Sequence, residues 1–257
     1  MPNHVLNIVT LYGDEKQIAA LKQIYCMEKG ADLLDFNKII PMSEALNMEA
    51  GSKTDQGIWL YLMAADPYDE WPQAKVWGYE KLQPETYMKL KTMFPDGMEN
   101  HYWRESAKEI RSNCTENQKG RVKMLLELGK QAAENMLQYG AKDWYDWCVK
   151  HWGSKWNAYG SSNMKNSEPN QLVFLSAWDS PEPVIQKLSQ LYPDFLLKHQ
   201  WADENLGYNL GERYYRAGKL EMEHVFEYGS QEAVQFAETL FEWEEVEQSE
   251  TLTLELE

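Results

Sequence analysis

The segment best equipped for chemistry is "HWGSKWNAYG", residues 151–160, which gathers aromatic rings, a lysine and turn-forming residues within ten positions. A lysine ammonium can bind an anion or stack on an aromatic ring, and a glycine such as Gly153 can end a helix in the left-handed conformation. One interpretation is therefore a ligand site that this segment shares with residues farther along the chain. Its predicted members are Trp152, Lys155, Trp156, Asn157, Trp178, Trp201 and Glu204.

The same segment also has a structural interpretation. The tryptophans would pack the helical middle of the chain against a sheet, Lys155 would lay its stem along apolar surface, and Asn157 would hydrogen-bond a turn. Burial of one large apolar side chain stabilises a fold by about 2 to 3 kcal/mol, which is a strong incentive to bury these rings. We therefore predict mainly a structural joint, with a pocket at its rim as the alternative.

Metal chemistry has little support in the sequence. Cys148 and His151 are three residues apart, so one helical turn could place both on a metal, and His199 and His224 fall on later predicted strands. Structural zinc sites show paired clusters of Cys or His, and no such cluster accompanies these residues. We predict a structural thiol and separate histidines, with no metal.

Signatures of catalysis are also missing. The sequence has no G-x-S-x-G elbow and neither of the common glycine-rich phosphate loops. Acidic pairs occur in predicted loops at Asp69 and Glu70 and at Asp203 and Glu204, but such pairs arise by chance in an acidic chain. We predict no catalytic residue and no cofactor, and the balance leans against an enzyme.

The net charge of the chain restricts the kind of partner that it is expected to bind. The 257 residues include 25 basic and 41 acidic side chains, for a net charge of −16, which repels a phosphate backbone. Tyr214, Tyr215 and Arg216, with Trp201, could stack single-stranded RNA bases on a sheet, but the ribonucleoprotein signature is absent. We predict a protein partner rather than a nucleic acid, with a small-molecule ligand as a further possibility.

Cysteine usage and hydropathy address the compartment. Cys26, Cys114 and Cys148 are odd in number and show no paired spacing, which fits free thiols in a reducing environment. No run approaches about 18 consecutive apolar residues, and the first residues do not resemble a signal peptide. We therefore predict a cytoplasmic protein without a membrane segment.

The first half of the chain predicts a β-α-β opening followed by helices. Residues 4–12 are rich in β-branched residues and predict a strand, Asp14 is a candidate N-cap for a helix ending near Gly30, and residues 33–41 predict a second strand. Residues 42–83 resolve only as short helices and loops. From Pro84 to Trp152 the apolar spacing is helical.

The last third returns to alternating strands and helices. Strands are predicted at 172–178, 195–203, 207–218 and 219–226, the last two joined by a tight turn at Ala217 and Gly218. Ser180 and Pro181 predict an N-cap and first turn for a helix that ends at Pro193, and a final helix is expected over 230–243.

These elements predict an α+β fold: a ferredoxin-like antiparallel sheet of split β-α-β type, with helices on one face and a large helical insertion. Residues 1–42 and 153–243 would form the ferredoxin-like domain, and residues 43–152 the mostly helical insertion. Residues 244–257 would form an acidic tail, since seven Glu and no Lys or Arg occur from Glu242 onward.

Several blocks of sequence resemble one known family. They are PNHVLNIVT at the start, DFNKIIPM at 35–42, DWYDWCVKHWGSKWNAY at 143–159, FLSAWDSPEPVI at 174–185 and WADENLGYNLG at 201–211. Together they are similar to the YubB-like family, also called Api-like, of phage- and plasmid-encoded proteins of unknown function. The resemblance implies a ferredoxin-like carboxy-terminal part, a mobile-element origin and an intracellular life. It transfers no catalytic residue, and the Glu-rich tail departs from the family.

Two functions follow from these observations. The first is a non-catalytic, acidic interaction protein that binds a host or phage macromolecule. The alternative is a small-molecule-binding protein or enzyme, with a pocket between the helical insertion and the sheet.

Overall fold

The structure is a computed structural model that describes residues 3–27, 33–94, 101–113, 116–160 and 168–241. The chain divides into two compact units, which we call the sheet unit (residues 1–41 and 148–257) and the helical unit (residues 42–147). The predicted acidic tail at 244–257 lies outside the described residues.

Over the described residues, the chain begins with a strand, continues through a run of helices, and ends with four strands and two helices. In order they are β1 (His4–Tyr12), α1 (Glu15–Tyr25), α2 (Phe36–Ile39), a 3-10 helix (Glu44–Leu46), α3 (Ser52–Ala64), α4 (Pro72–Val76), α5 (Pro84–Met93), α6 (His101–Asn113), α7 (Glu116–Tyr139), α8 (Trp144–Trp152), β2 (Gln171–Ala177), α9 (Glu182–Leu191), β3 (Leu196–Asp203), β4 (Leu210–Arg216), β5 (Lys219–Val225) and α10 (residues 231–241).

The sheet unit contains a five-stranded sheet in the order β2-β1-β3-β4-β5, and every neighbouring pair is antiparallel. The β4–β5 hairpin turns at Ala217 and Gly218, both of which have positive φ (49° and 76°). This left-handed pair is the backbone that a tight two-residue hairpin requires. The predicted α+β fold, its antiparallel sheet and this hairpin are confirmed.

The predicted strand at 33–41 is wrong, because most of this segment is the short helix α2. Asp35 caps the helix by accepting a hydrogen bond from the backbone N of Asn37 at 3.0 Å. Leu34 makes only an isolated bridge with Cys26. An aspartate placed before an apolar pair at i and i+3, here Phe36 and Ile39, is a helix start that outweighs the β-branched residues after it.

The sheet is covered on both faces, so the prediction of helices on one face only is also wrong. Leu6 and Ile8 of β1 belong to a buried cluster with Ala233 and Ala237 of α10. On the opposite face, the hydroxyl of Tyr215 donates to Glu182 of α9 at 3.1 Å. The inner strand β1 therefore buries both of its faces.

Helix α9 begins two residues later than the predicted cap at Ser180. Pro181 occupies the N-cap position and makes no side-chain capping bond, and the helix starts at Glu182. Pro183, the second residue of the helix, lacks an N–H that would otherwise go unsatisfied, which reduces the need for a side-chain cap.

In the helical unit, α3 and α7 cross at two glycines. A Cβ at Gly129 of α7 would overlap the carbonyl group of Gly57 in α3, and a Cβ at Gly57 would lie 2.6 Å from the carbonyl oxygen of Leu125.

The helix α3 was not predicted as such from the sequence, which indicated only short helices and loops over 42–83. Residues 57–62 of this helix are all buried, so its second half has no polar face and hence no clear helical periodicity.

The glycine crossing can be tested within one helix. We expect Gly129→Ala to lower the free energy of unfolding by about 2 kcal/mol or more, because the added methyl forces the two backbones apart. Gly120→Ala is the matched control, since a Cβ there meets nothing within 4 Å. It should raise stability by up to about 1 kcal/mol through helix propensity. Equal urea denaturation midpoints for the two variants would contradict this crossing.

A buried polar network crosses the central strands of the sheet. His199 is fully buried, and its Nε2 lies 3.0 Å from Oδ1 of Asn7. The Asn7 amide nitrogen donates to Val5 O at 2.9 Å and Ser176 Oγ at 2.8 Å, so Nε2 of His199 must carry the proton it shares with Asn7. Among the described residues, Nδ1 of His199 has no hydrogen-bond partner. Burial, with the Arg213 guanidinium nearby, lowers the pKa of His199 to about 3.

This lowered pKa makes stability depend on pH. The unfolded chain binds a proton at His199 near pH 6.5 and the folded chain does not, so stability is fully present above that pH and is lost as the pH falls toward 3. Between pH 7.5 and pH 5 this residue should remove about 2 kcal/mol. Urea titrations should show that His199→Gln lacks this part of the decline, whereas a change at the exposed His224 to Gln keeps it. Parallel declines in wild type and His199→Gln would refute the assignment.

Candidate functional site

Three of the predicted site residues meet in the sheet unit. The ammonium of Lys155 lies 5.0 Å from the ring centroid of Trp156 and 4.9 Å from that of Trp178. Both distances are within the range of a cation–π interaction, which is worth about 0.5 to 1 kcal/mol at exposed sites. We call these three residues the indole–lysine cluster.

Backbone pairing with β2 holds one side of this cluster. Lys155 N donates to Ala177 O at 3.3 Å, and the Ala177 N–H donates to Ser154 Oγ at 3.0 Å. Tyr159 and Leu175 exchange two backbone hydrogen bonds, at 3.0 and 2.7 Å. The segment 154–159 therefore runs along the outer edge of β2, which fixes where its side chains emerge.

The other side of the cluster is held in a strained backbone. Trp178 has φ of 77° and Asn209 has φ of 44°, both in the left-handed region. Trp178 N donates to Asn3 O at 3.0 Å, and the Asn209 side-chain amide donates to Trp178 O at 3.0 Å. The Trp178 side chain is 40% exposed. Such strain costs of the order of 1 to 3 kcal/mol and often marks a functional site.

A buried carboxylate ties the same end of the sheet together. Asp203, at the end of β3, accepts hydrogen bonds from the Asn3 side chain at 3.2 Å and from Asn205 N at 2.8 Å. The adjacent Glu204 is exposed, and its backbone N–H donates to His4 O at 2.9 Å. Burial, together with the Glu204 carboxylate, raises the pKa of Tyr159. Glu204 therefore acts electrostatically on Tyr159, which belongs to the segment that carries Lys155 and Trp156.

Two other predicted residues hold α2 in place. Trp152 is buried, donates its indole N–H to Ile40 O at 2.9 Å, and meets the Phe36 ring edge-on. Asn157 accepts from Phe36 N at 2.7 Å and donates to Asp35 Oδ1 at 2.7 Å. Trp152 is therefore used in packing and Asn157 in hydrogen bonding at the start of α2.

Trp201 lies on a buried face of the sheet and is separate from the cluster in its contacts. The Arg213 guanidinium carbon is 4.4 Å from its ring centroid, and the His199 ring is 5.3 Å away. Arg213 in turn pairs with Glu182 at 3.0 Å and Glu223 at 2.6 Å. The Trp201 ring therefore packs beneath the Arg213 guanidinium, which links β4 to β5 and α9 through its ion pairs.

The sequence analysis missed a further surface, the edge strand β5. All seven of its residues are exposed, including Leu220 (45%), Met222 (49%) and Val225 (59%). Segment 154–159 covers the outer edge of β2, whereas β5 has no second neighbouring strand within the described part of the chain. The signal was present in the sequence: the strand KLEMEHV mixes charged and apolar residues without one consistently apolar face.

The described residues contain no group of three or more His, Cys, Asp or Glu arranged to hold a metal ion. Within the same residues, none of the helices has both the length and the apolarity to span a bilayer.

Comparison with known proteins bears on the carboxy-terminal part of the chain. No curated protein matches it. A solved structure, the crystal structure of a protein api92 from Yersinia pseudotuberculosis, matches at 13% identity with a TM-score of 0.38, covering 90% of this chain and 100% of the other. Residues 155–248 match the family model described as "Ferredoxin-like domain in Api92-like protein". The resemblance to the Api-like family is thereby confirmed for this region, in that its sequence matches the model of the ferredoxin-like domain of Api92-like proteins.

Proposed function

We propose that this protein is a non-catalytic interaction protein that binds an extended segment of a partner protein along strand β5. The single observation that carries the proposal is the exposure of this strand over its whole length, at an edge with no covering strand in the described residues. An open edge presents backbone N–H and C=O groups that can pair with a further strand.

The side chains of β5 supply two distinct contact rows. Met222 is paired with Tyr214 and so lies on one face, whereas Leu220 and Val225 are paired with Tyr215 and Gly211 on the other. Main-chain hydrogen bonds would give affinity, and alternate side chains of the added strand would meet these apolar residues and give specificity. The register shift between Tyr214 and Tyr215 leaves residues 222–225 as the regular part of the edge.

The two carboxylates of β5 are ion-paired within the sheet. Glu221 pairs with Arg216 at 3.0 Å and Glu223 with Arg213 at 2.6 Å. Unpaired charges on an edge strand oppose strand addition, so these ion pairs lower the cost of bringing another strand alongside. Tyr228 is exposed, and the centroid of its ring lies 6.2 Å from that of Tyr208. This residue extends the apolar surface beyond the end of the strand.

The edge is tested with peptides selected from a random library on the immobilised protein. We expect selected peptides to slow amide hydrogen exchange in residues 219–225. The double change Met222→Lys and Val225→Lys should weaken their binding at least about tenfold, since charge on an edge blocks pairing. Val76→Lys is the control, because Val76 is an equally apolar and 77% exposed residue of α4.

Selection of no peptide, or of peptides that protect other segments and bind the double variant normally, would overturn the proposal. Melting curves of the three proteins should coincide within a few degrees, which separates lost binding from lost folding.

A second candidate function is binding of a small molecule at the indole–lysine cluster. The observation that favours it is the half-exposed indole of Trp178 on a left-handed backbone. A pocket between the helical insertion and the sheet stays a prediction, as do a phage or plasmid origin and a cytoplasmic location.

This second candidate predicts that some member of a nucleotide and metabolite panel raises the melting temperature. Trp178→Gly should abolish that rise while leaving the fold intact, because glycine accepts a φ of 77° without strain. A flat panel with wild-type protein, or a rise that survives in Trp178→Gly, would exclude the cluster as the binding site.

A further inference from the structure

The helical unit has a groove of about 530 Å³ along one side of α7. Its second wall is the chain around the 3-10 helix. The residues that line it are Ala45, Glu49, Met124, Glu127, Leu128, Lys130, Gln131, Glu134, Asn135 and Gln138.

The floor of the groove follows the seam of a heptad pattern. Met124, Leu128, Gln131, Asn135 and Gln138 are separated by four, three, four and three residues. This is the spacing with which one helix offers a stripe to a second helix. The stripe is apolar at its first end, where Met124 is 54% exposed, and amide-bearing at the other.

The two walls are joined by hydrogen bonds, so the groove is built into the fold. The side-chain amides of Gln131 and Asn135 both donate to Ala45 O, at 3.3 and 3.0 Å. Asn135 also donates to Lys142 O at 3.2 Å and is buried. These contacts keep the 3-10 helix at a fixed distance from α7.

The rim of the groove is acidic. Glu127 and Glu134 are both exposed and seven residues apart on α7, which places them about 10 Å apart along its axis. In the heptad pattern they occupy the same flanking position beside the seam. Glu127 is held by the Tyr79 hydroxyl, which donates to its carboxylate at 2.5 Å. The third rim carboxylate, Glu49, is already paired with Lys53 at 2.8 Å.

We propose that this groove docks a basic amphipathic helix of a partner protein. Its apolar residue would rest on Met124 and Leu128, and two Lys or Arg side chains one heptad apart would face Glu127 and Glu134. This site lies in the helical unit and is independent of strand addition at β5 in the sheet unit, so either proposal can fail alone.

Charge selects this occupant over others. Because Glu49 is paired with Lys53, the lining presents two further carboxylates, Glu127 and Glu134, and one ammonium, Lys130. This excess of negative charge disfavours phosphate and favours a cationic partner. Interhelical pairs between flanking acidic and basic residues are the usual means by which such a seam chooses its partner. The seam spans fifteen residues, and its first and last members are about 21 Å apart along the helix, which is a length that suits a helix of four turns.

The probe is a synthetic three-heptad peptide with leucine at the seam positions and lysine at the flanking positions, titrated by calorimetry against the full chain. We expect saturable binding that weakens about tenfold in the double variant Glu127→Gln and Glu134→Gln. The matched control is Glu85→Gln with Glu109→Gln, which changes the net charge equally at exposed sites away from the groove. It should bind the peptide within twofold of wild type.

A third variant guards against loss of folding. Met124→Ala changes no charge and should also weaken binding several-fold, because it removes apolar contact from an exposed position. Three results would overturn the proposal: no saturable binding, equal weakening in both Glu→Gln pairs, or equal affinity for a peptide whose lysines are replaced by glutamate. The second result would show attraction by the overall charge of −16 alone.

Discussion

The sheet unit depends on strand β1, which pairs with two strands from the far end of the chain. His4–Tyr12 is hydrogen-bonded to residues 171–177 on one side and to residues 196–203 on the other. Seven of its nine residues are buried, so the strand contributes to the core on both faces. Without this pairing, strands that lie more than 150 positions apart in the sequence would not be joined in one sheet.

The positions of the candidate sites follow from that arrangement. Because β1 occupies an inner position, the sheet has two edges, formed by β2 and β5. The segment 154–159 closes the first edge and in doing so presents Lys155 and Trp156 beside Trp178. The second edge is formed by β5, whose two glutamates are paired with Arg213 and Arg216. Within the residues that the structure describes, one edge therefore carries a constrained side-chain cluster and the other an open backbone.

The sequence predicted the elements whose side chains follow a simple period. Strands β1 to β5 and the helices after Pro84 could be located because β-branched runs and helical spacing report local burial. The segment 33–41 misled because its apolar residues fit either structure, and the capping bond from Asp35 decided in favour of a helix. The apolar residues of β1 fall at both odd and even positions (Val5, Leu6, Ile8, Val9 and Leu11), which was a signal of burial on both faces that the one-face prediction did not use.

The candidate site was only partly accessible to sequence reasoning, for a physical reason. Residue types indicated which side chains can bind, but the partners of Trp152 and Asn157 lie more than 110 positions away in the sequence. Only tertiary structure shows that these two are occupied by α2 while Lys155 and Trp178 come together. The edge strand β5 and the groove of α7 could not be predicted either, because the exposure of a surface depends on which other segments pack beside it in the tertiary structure.

The most direct test of this account is residue-resolved amide hydrogen exchange of the free protein. We expect the amides of residues 5–11 in β1 to exchange only through global unfolding, whereas the outward-facing amides of β5 exchange many orders of magnitude faster. Protection of every β5 amide as strong as that of β1 would mean that this edge is already covered. Rapid exchange in β1 would mean that the two ends of the chain do not share one sheet.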